Sequence, residues 1–138
     1  MDEYLTINKK VIASDISPEG FRALFPEFIC IMQNTSLEST RYAADACVFG
    51  EREFSADVYF SQGYLKEVRL SPKPEEDREP GCPDRYRRVC DECLLELYGE
   101  PQERNQNITY YEYEWGSIST EYGKDNTPDC SILIDYQM

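Results

Sequence analysis

Glu112 and Glu114 are carboxylates one residue apart in a stretch written in strand period. On a strand that spacing sets both on one face, about 7 Å apart. Glycoside hydrolases use carboxylate pairs at such separations, one acid protonating the leaving group while its partner attacks or activates water. The chemistry also needs a cleft and one member held protonated. The surrounding residues give no sign of a cleft, and two glutamates on a strand are ordinarily the solvated face of a sheet. The hydrolase reading therefore ranks last.

Cys82, Cys90 and Cys93 contain a C-x-x-C spacing, which suits zinc. The chain has no histidine, so a fourth ligand would have to be the distant Cys130, Cys47 or Cys30. Cys90 and Cys93 also fall on the apolar stripe of a helix, where a free cysteine acts as a small hydrophobe. A redox pair would sit at a helix N-terminus, and this one sits in mid-helix. Without histidine, Ser-His-Asp and Cys-His nucleophiles are excluded. No glycine-rich phosphate loop is present. The expectation is a protein that is not an enzyme, with no cofactor and no metal.

Charge points elsewhere. The chain of 138 residues has a net charge of −13, of which residues 1–89 carry −4 and residues 90–138 carry −9. That field repels nucleic acid and anionic lipid and draws in cationic partners. The strongest local feature is Tyr110-Tyr111-Glu112-Tyr113-Glu114-Trp115. Strand alternation turns Tyr110, Glu112 and Glu114 one way and Tyr111, Tyr113 and Trp115 the other. The more aromatic set, joined by Ile118, Ile132 and Ile134, is the better core candidate. The first set, with Glu121, would form an exposed anionic face carrying a tyrosine. Glu75, Glu76 and Asp77, in a Pro-rich acidic surface loop at 71–83, are a second candidate contact.

The elements that must position these groups follow from periodicity. Tyr4 to Ile7 and Val11 to Ala13 form an opening hairpin around Asn8-Lys9-Lys10. Ser17-Pro18-Glu19 starts a short helix that presents Phe21, Leu24 and Phe25. Phe28 to Met32 reads as a buried run, helix or strand undecided. A strand over about 42–49 pairs with Glu53–Phe60, whose inner face is Phe54, Ala56, Val58 and Phe60. Tyr64–Leu70 returns, with a slip of period near Lys66-Glu67 that a β-bulge explains. A helix over about 84–98 buries Tyr86, Val89, Cys90, Cys93, Leu94 and Leu97 and leaves Asp91, Glu92 and Glu96 outside. Gly99 and Pro101 stop it. Strands over 108–115, 117–122 and 130–136 close the chain. The whole reads as a single α+β domain over residues 1–138: a mostly antiparallel twisted sheet with one long and one short helix packed on one face.

Several of these segments carry a resemblance. Gly63-Tyr64-Leu65 with Val68-Arg69-Leu70 makes one strand. The helix ends Leu94-Leu95-Glu96-Leu97-Tyr98-Gly99-Glu100-Pro101, the hairpin is Trp115-Gly116-Ser117-Ile118, and the last strand is Ile132-Leu133-Ile134-Asp135-Tyr136. Over about residues 54–136 the chain resembles small bacterial α+β proteins of the immunity-protein type. The resemblance implies an α+β fold and a protein-binding role, and it carries no catalytic residue. With the charge, it leads to the expectation of a cytoplasmic, non-enzymatic inhibitor of a basic toxin, such as a nuclease, with no nucleic-acid and no membrane partner. The competing expectation is a structural module, a homodimer pairing exposed β edges, with its charge serving solubility.

Overall fold

The computed structural model describes residues 5–34, 36, 38–72, 85–105, 108–122 and 130–136, with backbone only at 85–87 and 121–122. Strands β1 (Leu5–Ile7) and β2 (Lys10–Ile12) reverse over Asn8 and Lys9. Both turn residues have positive φ, 54° and 64°, as the tight turn of a right-twisted hairpin demands. The N-cap of helix α1 (Pro18–Leu24) is Ser17, whose Oγ accepts from the Gly20 amide at 3.0 Å. The helix contributes Phe21, buried against Phe25, Phe28, Tyr42 and Phe60 at ring separations of 5.1 to 5.7 Å. Truncating such an aromatic costs about 3–5 kcal/mol, so this cluster fixes α1 to the sheet.

Strand β3 (Ile29–Asn34) leads to β4 (Ser39–Phe49), β5 (Arg52–Ser61) and β6 (Tyr64–Pro72). Phe54, Ala56, Val58 and Phe60 are all buried, as their alternation requires. The bulge is where the period slips: Tyr59 pairs with Glu67 and Phe60 with Leu65, leaving Lys66 as the extra residue. Helix α2 (Arg85–Tyr98) ends at Gly99, whose φ of +81° and amide bond to the Leu95 carbonyl close it in left-handed form. Strands β7 (Glu103–Arg104), β8 (Thr109–Tyr113), β9 (Gly116–Tyr122) and β10 (Cys130–Tyr136) follow. The described strands form one antiparallel sheet in the order β2-β1-β4-β5-β6-β10-β9-β8-β7, with β3 added beside β4.

This architecture corrects the expected α+β class. Among the described residues strand far outweighs helix, and the sheet curls into a half-barrel with two short helices. The helix expected to be long spans 14 residues, about 21 Å of axis. It cannot cover so many strands. Buried Leu65, Val68, Leu70, Ile132 and Ile134 form part of the core on the adjacent strands β6 and β10. No helix among the described residues is long and apolar enough to cross a membrane.

Three local expectations also change. Asp91, expected outside, is buried: its Oδ1 accepts from the Thr109 hydroxyl at 2.8 Å and its Oδ2 meets Arg104 at 3.3 Å. Leu97, expected inside, is 43% exposed, because the apolar stripe outruns the sheet beneath it. The run Phe28–Met32 buries only Phe28. Ile29, Ile31 and Met32 stand 69%, 55% and 43% exposed on a strand whose six residues are all exposed.

Candidate functional site

Cross-strand register places the outer face of the sheet in rows. In one row Arg41 lies opposite Tyr59, Tyr59 opposite Glu67, Glu67 opposite Asp135, Asp135 opposite Ser117 and Ser117 opposite Glu112. The neighbouring row runs Asp57, Arg69, Leu133, Ser119, Tyr110, Glu103. The two rows hold the carboxylates of Asp57, Glu67, Asp135, Glu112 and Glu103. Arg41 and Arg69 are the basic side chains on them. Arg69 lies 3.3 Å from Glu67 and donates to Ser131 Oγ at 3.2 Å, while Arg41 sits 4.9 Å from the Tyr59 ring centroid. Glu67 and Asp135 are like charges directly opposed, an arrangement that destabilises a sheet. Glu112 lies two strands beyond Asp135, so the strip from Glu67 to Glu112 spans about 14 Å.

The expected site residues divide against this geometry. Tyr110 is half-buried and Glu112 exposed, both on the outer rows, while Tyr111, Ile118, Ile132 and Ile134 are buried behind them. Glu114 is exposed but lies in the turn, since β8 ends at Tyr113. It therefore shares no strand face with Glu112. The backbone of Glu121 pairs with Ser131 in β9 and β10. Glu75, Glu76 and Asp77, with most of the expected Pro-rich loop and Cys82, lie outside the described residues. Glu67 and Asp135 were missed, because strand pairing alone brings them together. Their alternation with Val68 and Ile134 was the signal that both point outward.

A tight turn holds this face in register. Gly116 pairs with both Tyr113 and Tyr136, and a Cβ there would collide with the Asp135 carbonyl oxygen. Only glycine lets β9 approach β10 beside the row that carries Asp135. Behind the turn Trp115 stacks on Tyr113 at 5.3 Å and meets Tyr136 at 5.1 Å. The Tyr111 hydroxyl donates to the Gly99 carbonyl at 2.7 Å, tying the end of α2 to β8. Glu112 N donates to Gln102 Oε1, and Gln102 N donates to the Tyr110 carbonyl at 3.0 Å.

A second surface lies at the other end of the sheet. Among the described strands β3 pairs with β4 alone, and Cys30, Gln33 and Tyr42 border a groove of about 590 Å³ closed on its far side by α1. Phe25, Phe28, Glu19 and Arg22 also line it. Burial raises the Tyr42 phenol above its ordinary range.

Among the described residues no three or more Cys, Asp or Glu side chains come together to hold a metal, and buried Cys90 and Cys93 bond to backbone carbonyls. Cys93 Sγ donates to the Phe49 carbonyl at 3.6 Å and Cys90 Sγ to the Cys130 carbonyl at 3.7 Å. Burial pushes the Cys93 thiol up to about 12 and that of Cys47 to about 11. Cys90 is raised too, first by its hydrogen bond with Cys130 and then by burial. These thiols stay protonated and pack as core.

No protein-family model, no curated protein and no solved structure matches the chain.

Proposed function

We propose that the protein is a non-enzymatic, immunity-type inhibitor. It would use the outer face of β6, β10, β9 and β8 to cover a basic surface, such as the substrate cleft of a nuclease toxin. The observation that supports this reading is the direct opposition of Glu67 and Asp135 on that face, with Glu112 two strands farther along. Within the chain Arg69 offsets Glu67, whereas a cationic partner would offset both opposed carboxylates on docking. Half-buried Tyr59 and Tyr110 stand in the same rows and add contact area that loses little entropy when ordered. An anionic strip of this kind also steers a basic protein into encounter.

Affinity capture from native lysate tests the reading, with the wild type beside a Glu67→Lys/Asp135→Lys/Glu112→Lys variant. The expected result is a basic partner that the wild type holds at low salt, loses as salt rises, and that the variant fails to hold. Equal capture by both proteins, or capture indifferent to salt, would remove this face as the site.

A further inference from the structure

We propose that a second copy of this chain pairs its β3 with the β3 of the first, antiparallel about a twofold axis, making one continuous sheet. β3 presents an edge that no other described strand covers, and its residues are Ile29-Cys30-Ile31-Met32-Gln33-Asn34. A chain that is 30% charged places no charge on this strand. Natural edges are defended by lysine, proline, inward charge or a bulge. Here the single defence is a bulge at Ile31, between the pairs Cys30–Tyr42 and Met32–Arg41. The exposed apolar side chains of Ile29, Ile31 and Met32 are what such an edge would bury.

Charge selects a second copy over a foreign strand. A basic segment would need free carboxylates beside the edge, but β3 has none, Glu27 sits 3.9 Å from Lys10, and Glu19 shares the groove with Arg22. Two negative chains can meet here because β3 itself is neutral, while Glu103, Glu112, Glu121 and Asp135 lie on strands β7 to β10. Those strands lie at the opposite end of the sheet from β3. Twofold pairing sets neutral strand against neutral strand and holds the anionic halves apart. Every second side chain of the added strand would lie over the groove floored by Phe25 and Phe28. A strand of six residues offers less than the about 800 Å² per partner of a stable dimer, so association depends on concentration.

Light scattering across a concentration series reads this directly. The expected mass rises from 16.1 kDa toward twice that value. Ile31→Lys or Met32→Lys should weaken association about tenfold or more, by setting like charges against each other near the twofold axis. Both positions are exposed, so circular dichroism and the melting temperature should stay at wild-type values. A bis-maleimide should cross-link copies through exposed Cys30, and Cys30→Ser should abolish the product. A monomer at every concentration, a dimer indifferent to both lysines, or a cross-link surviving Cys30→Ser would each overturn the proposal. None of these variants touches the outer-face carboxylates, so the dimer can fail while the inhibitor reading stands, and the reverse.

Discussion

The strand β3 edge and the rows through β6, β10, β9 and β8 break opposite rules of sheet construction. β3 exposes apolar residues at an edge, where an isolated protein would place charge. The rows oppose carboxylates in the middle of the sheet, where an isolated protein would alternate sign. One region lacks the charge it needs to stay single, and the other carries more than it needs to stay soluble. On the two proposals each cost would be returned by a partner of a different kind: a neutral strand for one, a cationic surface for the other.

The largest effect should come from breaking the anionic region without altering a charge. Gly116→Ala forces a Cβ into the Asp135 carbonyl and should cost about 3 kcal/mol or more in a denaturant titration. A cost under half a kilocalorie would mean that β9 does not pack so closely on β10. Next, the Glu67→Lys/Asp135→Lys/Glu112→Lys variant should slow association with a basic partner by about tenfold or more and flatten its salt dependence. Stopped-flow rates equal to wild type would show that these rows do not steer.

Stability should be level up to about pH 9 and fall beyond it. The sign follows from burial: Cys47, Cys93 and Tyr111 have folded values of about 11, 12 and 12 against ordinary values of 9.0, 9.0 and 10.0. Each contributes fully below its unfolded value and loses that contribution as pH rises through its folded one. Urea midpoints from pH 7 to 12 would check this, and a flat profile would contradict the burial of these groups. The smallest effect should be Asp135→Asn alone, which relieves the opposition to Glu67 and should stabilise by a few tenths of a kcal/mol. Destabilisation would show that the pair is already compensated.

Much of the fold could be read before any coordinates. The hairpin at Asn8-Lys9, the Ser17 cap, the bulge at Lys66 and the Gly99 stop are local chemistry, and each sits where its residues put it. What was not legible depends on tertiary placement. Periodicity alone cannot tell a buried apolar run from an exposed one, so Ile29 to Met32 were expected inside. Asp91 looked like a surface acid because its partners, Thr109 and Arg104, come from later strands. The curl of the sheet, which overturned the α+β expectation, follows from accumulated twist that no single residue encodes. At the candidate site Tyr110 and Glu112 were legible from alternation, while Glu67 and Asp135 needed the register.

Trp115 gives the molecule an optical consequence. It is the chain's single tryptophan, stacked on Tyr113 at the tip of the β8–β9 hairpin, just past Glu112. Its emission should respond when something docks on the anionic rows and stay constant when two copies join at β3, at the far end of the sheet. The unlabelled protein thus carries a native fluorophore that can separate the two events in one cuvette.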